Sequence, residues 1–377
     1  MSKKRTNIIF SLTFVALLLI PLFFIDLQGG KISEEENRML TARPSWSLLL
    51  ESPTVFLAQF DGWFSDNVGF RGEMVHLYKQ LDKLENGRYQ LGHMTYLIGE
   101  QGHEYFDIGG ILISKYQGKP FIPEENLTGL ASGLNEMNEY LDEKDIPMIV
   151  MFCTDKETIY PEYYPKTIIR GPEPTQIDII TEYLQDNTDI DVFNIKQCLL
   201  DEKENYLLYN KAIDDVSHYN EIGAFFAYQE LMRHINIYLP EIQPFVIDDF
   251  DISYNENGSP FTSLKHGESY EILDNDTEGL GPHNPNMWRN TFIENKDEDL
   301  PTILIFGDSC ISPGFMDALP EHFSKTGLVH YEYIDHFVEF VDYYNPDIVV
   351  FESAEREIHR LAAYINDYYK KGLIDLG

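Results

Sequence analysis

The chain has 377 residues and a formal net charge of -35, from 63 acidic against 28 basic side chains. A surface this acidic repels nucleic acid and anionic lipid, which excludes DNA or RNA as a partner. Three cysteines, Cys153, Cys198 and Cys310, are too few for a disulfide framework, and at least one is unpaired within the chain.

Lys3, Lys4 and Arg5 precede an apolar run over 8–25, interrupted by Ser11, Thr13 and Pro21. Such a run is close to the minimum needed to cross a hydrocarbon core of roughly 30 Å. The basic tip would stay inside, so residues 1–30 are expected to form an uncleaved transmembrane anchor in the lipid bilayer, with the rest outside the cytoplasm. No small-residue cleavage site precedes Asp26, which argues against a removed signal peptide.

Residues 31–122 are expected to form a lead-in of helices and short strands. Within it Phe56, Phe60, Trp63 and Phe64 fall at helical spacing. From about Pro123 the pattern becomes α/β, and 123–377 is expected to be the main domain. Leu127, Leu130, Leu134, Met137 and Leu141 mark an amphipathic helix, followed by a buried strand over 146–152. A helix over 174–186, a strand over 191–195 and a helix over 221–238 follow. Residues 240–298 are polar and rich in Gly, Asn, Asp and Pro, and are expected to be an irregular insertion with short β pieces. Strands over 302–306, 329–333 and 347–351 then alternate with helices over 313–325 and 336–344, and a last helix follows Ala354. Five buried strands alternating with helices imply a doubly wound, mostly parallel sheet, with ligands at the carboxyl ends of its strands.

Phe306-Gly-Asp-Ser309 follows one of those strands directly and precedes a helix. A serine there is exposed at the sheet edge, with nearby backbone N–H groups where an oxyanion would form. Gly307 and Asp308 belong to that turn, although Asp-Ser is also ordinary helix-capping chemistry. A serine nucleophile needs a base and an acceptor that orients it. His218, just before the helix at 221, is the candidate base, with Asp215 or Asp214 as the orienting acid; capping by Asn220 beside a solvated histidine is the plainer alternative. Lys156 either binds an acceptor hydroxyl or a negative sugar, or is a solvated surface lysine. Tyr160 either stacks on a sugar or packs in the core. Arg356 either pairs structurally with Glu355 or lines the site. Asp274-Asn-Asp276-Thr-Glu278-Gly279 begins like a calcium loop, but Pro285 stands where the bidentate glutamate belongs, so no metal is expected. Neither a P-loop nor a dinucleotide fingerprint occurs, and no cofactor is indicated.

Gly307-Asp-Ser309 with Asp215-x-x-His218 resembles the signature of the SGNH hydrolases, in permuted order. That order is similar to the alginate O-acetylation proteins and their SGNH-like relatives, the DHHW proteins among them. The resembling stretches, in the family's order, are Ser33–Leu40, Phe60–Phe64 with Asn67–Arg71, Lys156–Pro161 and Ser217–Asn220 with Gly223-Ala224. Gly307–Ser309 with His322-Phe323, and Asn345–Glu352 with Glu355-Arg356, complete the set. The family writes Asp-x-His-Trp, whereas here Val216 stands two before the histidine and Tyr219 replaces the tryptophan. The resemblance implies a three-layer α/β/α fold and an extracytoplasmic O-acetyltransferase that acts through an acyl-serine. It further implies a polysaccharide acceptor and a membrane-bound acyltransferase that supplies acetyl groups, in a bacterial-type envelope. A carbohydrate esterase or deacetylase, or a non-catalytic polysaccharide assembly protein, are the alternatives.

Overall fold

A computed structural model of the chain describes all residues except 1–2, 34–37, 75–76, 78–80, 82–86, 92–93, 213–214, 257, 266, 274–289, 312–316 and 375–377. Asp214 and the stretch from Asp274 to Pro285 therefore lie outside the described residues. The chain divides into two compact units, Met1–Ile98 and Gly99–Gly377.

In the first unit, α1 (Lys3–Leu19) runs into a 3-10 turn, Ile20–Phe24. The continuous membrane-crossing helix expected over 8–25 does not form. Pro21 sits in the first turn of the 3-10 segment, where its missing N–H and its ring end the α-helical ladder. Among the described residues no helix is long and apolar enough to cross a membrane. The unit also holds two short paired strands, β1 (Ile32–Ser33) and β2 (Arg38–Met39), and two helices, α2 (Trp46–Glu51) and α3 (Pro53–Asn67). Phe56 and Trp63 form the buried stripe of α3, while Phe60 and Phe64 remain partly open. An antiparallel hairpin of β3 (Arg88–Leu91) and β4 (Met94–Ile98) closes the unit.

The second unit opens with β5 (Glu104–Asp107) and α4 (Ile111–Tyr116). There follow α5 (Glu124–Asp142), β6 (Met148–Cys153), α6 (Lys156–Ile159), α7 (Gln176–Asn187), β7 (Asp191–Asn194), α8 (Lys196–Glu202) and α9 (Glu221–Tyr238). The 240–298 excursion contributes a hairpin, β8 (Phe250–Tyr254) and β9 (Pro260–Leu264), then β10 (Tyr270–Leu273) and β11 (Asn290–Asn295). Next come β12 (Thr302–Gly307), β13 (Lys325–His330), α10 (Phe337–Tyr344), β14 (Ile348–Ala354) and α11 (Ile358–Lys371).

The central sheet has the order β10-β11-β13-β12-β14-β6-β7. Its five strands from β13 to β7 are parallel, and β10 and β11 extend one edge antiparallel. Strand β6, Ile303–Phe306 of β12 and Ile348–Phe351 of β14 are apolar without interruption because both faces are covered. Ile149, Met151, Ile303, Ile305, Ile348 and Val350 point to one face, where α9 packs with Phe225, Tyr228 and Leu231. Val150, Phe152, Leu304, Phe306, Val349 and Phe351 point to the other, beneath α5, α7, α10 and α11. The result is three layers, α/β/α.

Two boundaries differ from expectation. The strand expected over 329–333 is β13, and it ends at His330. The His330 ring accepts the Glu332 N–H at 3.2 Å and starts a 3-10 turn over Tyr331–His336. Of the helix expected over 313–325, the described part ends in a 3-10 turn at Leu319–His322, and Lys325 already opens β13.

Helices α5 and α11 approach closely because α5 carries glycine at the crossing. A Cβ built on Gly133 would lie 2.5 Å from Ile365 Cγ2 and 3.1 Å from the Ile365 carbonyl oxygen. Gly133→Val is therefore expected to force the helices apart and to destabilise the fold by about 1–3 kcal/mol. Denaturant unfolding checks this, and an unchanged midpoint would show that the crossing tolerates a side chain.

Candidate active site

The carboxyl edge of the sheet turns sharply after β12. Gly307 needs to be glycine for space and not for an unusual φ, since a Cβ there would sit 2.9 Å from Glu352 Oε2 and 3.1 Å from Ile311 Cδ1. Asp308 is buried and its carboxylate staples the turn. One oxygen accepts the Cys310 N–H at 2.9 Å, and the other accepts the Ala354 N–H at 2.8 Å. The Asp308 N–H in turn donates to Glu352 Oε2 at 3.0 Å. Burial, and then the nearby Asp308 carboxylate, push the Glu352 acid well above its ordinary range. Between buried Asp308 and buried Cys310, Ser309 alone is exposed.

The histidine arrives on the loop before α9. Asn220 caps that helix, its side-chain oxygen accepting the Ile222 and Gly223 N–H groups at 3.1 Å each. His218 Nε2 lies 2.9 Å from Ser309 Oγ, and its Nδ1 lies 2.5 Å from Asp215 Oδ2. The other Asp215 oxygen accepts the Ser217 N–H at 2.8 Å and the Ser217 hydroxyl at 2.6 Å. Burial would raise the Asp215 carboxyl, but hydrogen bonds from His218 and Ser217 hold it well below the usual carboxylate range. Val216, two residues before the histidine, is buried. Tyr219 lies in the core and donates its hydroxyl hydrogen to the Cys310 carbonyl, tying the histidine loop to the serine turn.

A buried group of charges lies beside this loop. Arg356 Nη1 donates to Asp155 Oδ1 at 2.6 Å and to the Ser217 carbonyl at 3.0 Å. Lys115, also buried, pairs with Asp155 and lies 3.0 Å from Glu157 and 3.2 Å from Glu355. Burial would raise Asp155, yet Lys115 and Arg356 together hold it below its ordinary value. Glu157, with weaker support, is pushed up to about 7 by burial. The pair expected between Glu355 and Arg356 is thus replaced by Lys115 with Glu355 and Arg356 with Asp155, because consecutive side chains after β14 diverge.

Two other sequence candidates lie away from the serine. Lys156 is 2 % exposed, and its ammonium donates to the carbonyls of Glu104, Asn210 and Lys211 at 2.7, 2.5 and 2.9 Å. Tyr160 is buried, and its hydroxyl accepts the Leu208 N–H at 3.1 Å. Both residues fix the 206–211 segment that leads to the histidine loop, so neither offers a surface to a sugar. Ser217, Tyr219 and Asn210 shape the site without having been singled out as site residues. Asn210 donates to the Asp215 carbonyl at 3.2 Å, a contact that no local sequence pattern announces. The ligand atoms of Asp308, Cys310 and Glu352 lie within 4.8 Å of one another, the one such grouping among the described residues. Asp308 is already occupied by amide hydrogens, so the group serves the turn.

Above Ser309 opens a cleft of about 380 Å³ between the histidine loop, the start of α9 and the β8–β9 hairpin. Removal of the charge that holds the loop tests this arrangement. Arg356→Met leaves Asp155 with one buried partner fewer and frees the Ser217 carbonyl, and is expected to cost about 3–5 kcal/mol of stability. Urea unfolding measures the loss, and a change under about 0.5 kcal/mol would remove Arg356 from this role.

No family model matches the sequence, and no curated protein matches it. Similar solved structures do exist. A DHHW family protein from Eubacterium siraeum aligns with a TM-score of 0.51 at 13% identity, over 76% of this chain and 98% of that one. PatB1 of Bacillus cereus aligns at 0.48 and 15% identity, over 63% and 92%. The O-acetyltransferase domain of Pseudomonas putida AlgJ aligns at 0.46 and 12%, over 72% and 99%. At these identities the likeness to the DHHW family protein is one of fold: a mixed α/β chain with a mostly parallel central sheet.

Proposed function

We propose that the chain is an extracytoplasmic O-acyltransferase that moves an acetyl group onto a polysaccharide through an acyl-Ser309 intermediate. The observation that carries the reading is the open chain of contacts from Ser309 Oγ through His218 to Asp215, at 2.9 and 2.5 Å. His218 takes the Ser309 proton as Oγ attacks the acyl carbonyl, and passes it to the departing group. The acceptor hydroxyl then gives its proton to the same nitrogen as it attacks the acyl-serine. The Oγ–acyl bond breaks, Oγ takes that proton back from His218, and an ester is left on the sugar. Asp215 accepts from Nδ1 and orients the imidazole. The amides of Asp308 and Cys310 are spent on Glu352 and Asp308, which leaves the Ser309 N–H to meet the developing oxyanion.

The polysaccharide acceptor and a membrane-bound acyltransferase as acetyl source rest on the family resemblance. The placement outside the cytoplasm rests on it too. Exposure of Ser309 to solvent favours one second reading, an esterase in which water takes the acceptor's place.

Intact-mass analysis of the full-length chain after exposure to an activated acetyl ester tests the proposal. Wild type is expected to gain one acetyl group, mapped to Ser309, that oligosaccharide removes faster than water does. Ser309→Ala is expected to gain none. Asp215→Asn should acylate at the same residue but more slowly, by up to about 10⁴-fold. Discharge by water alone would establish the esterase, and the absence of any adduct would end both enzymatic readings.

A further inference from the structure

We infer that the acceptor seated in the cleft is an uncharged glycan, recognised by its hydroxyls and one pyranose face, and that uronate polymers are disfavoured. This rests on the transfer reading above and adds the substrate class.

Charge makes the first argument. Among the described residues that line the cleft, Asp215 and Glu221 are acidic and none is a lysine or an arginine. Lys156 and Arg356, the two cations that a negatively charged sugar would need, are buried and committed. One holds three backbone carbonyls, and the other holds Asp155 and the Ser217 carbonyl. The chain as a whole carries -35, so its long-range field also opposes a polyanion.

The second argument is the complementarity of the walls. Asn210, Asn220, Asn255 and Ser259 give the cleft wall neutral polar side chains, which suit sugar hydroxyls. Phe261 on β9 is 48 % exposed and forms part of the cleft wall. A phenyl face left open in a polar cleft matches the apolar face of a sugar ring.

The hairpin that presents this ring is fixed in place. Glu221 accepts both the N–H and the hydroxyl of Thr262. The Asn255 side chain accepts the Ser259 N–H at 2.9 Å, which closes the turn. Phe250 of β8 packs on Phe225 of α9 with ring centroids 5.3 Å apart. The β8–β9 hairpin of the excursion thus forms one wall of the cleft.

The test uses the full-length chain, charged at Ser309 by an activated acetyl ester. The rate of adduct loss is followed with neutral hexaoses of glucan, mannan and galactan, and with hexaoses of polymannuronate and polygalacturonate. At least one neutral hexaose is expected to discharge the adduct about tenfold faster than either uronate at low salt, the gap narrowing as ionic strength rises. Phe261→Ala is expected to raise the half-saturating concentration of that neutral hexaose about tenfold, with Phe261→Tyr restoring it. Glu221→Gln keeps an acceptor for Thr262 and should narrow the discrimination against uronates. Faster discharge by uronate, or equal discharge by both classes, overturns the inference and leaves the transfer reading standing. Failure of every hexaose to outpace water overturns both.

Discussion

The hydrogen bonds from Arg356 to Asp155 and to the Ser217 carbonyl are the constraint on which the site depends. Asp155 follows β6, Arg356 follows β14, and Ser217 precedes the histidine, so one guanidinium joins two strand ends to the loop that carries His218. Both bonds come from the one Nη1 nitrogen, each through one of its two hydrogens. Burial makes the arrangement demanding, because a charge out of water needs good partners or it neutralises. Asp155 has two cations and remains ionised, whereas Glu157, sharing Lys115 with two other acids, is pushed up to about 7.

The serine is placed by a separate device. Asp308 reaches from the turn after β12 to the Ala354 amide at the end of β14, and Glu352 accepts from Asp308 in return. Adjacent strands therefore lock the turn from below while Ser309 faces the cleft. Tyr219 joins the two devices through the Cys310 carbonyl. The distance of 2.9 Å between His218 and Ser309 is thus set by the Arg356, Asp308 and Tyr219 ties, and not by the contact itself.

The apolar tracts of β6, β12 and β14 were legible as strands because each is buried on both faces and has no reason to alternate. Ser309 and His218 stood out because both sit next to punctuation, a strand end and a helix cap. Residues whose role is set by distant partners were not legible. Lys156 looked like a surface lysine or a sugar ligand, but its partners are carbonyls more than 50 positions away. Lys115 drew no notice, since its three carboxylates lie 40 to 240 positions further along the chain. The strand expected at 329–333 ran past its end because aromatic residues suit a strand and a 3-10 turn alike. Residues 240–298 read as irregular, yet they supply two edge strands and the hairpin that walls the cleft.

The central claim is that Ser309 is a nucleophile made reactive by His218. The most direct measurement is the second-order rate at which a small sulfonyl fluoride modifies the protein, with the modified residue mapped by mass spectrometry. The account predicts a single adduct on Ser309 in the wild type, and a rate at least about a hundredfold lower in His218→Ala. Modification at another residue, or an equal rate without the imidazole, would contradict it.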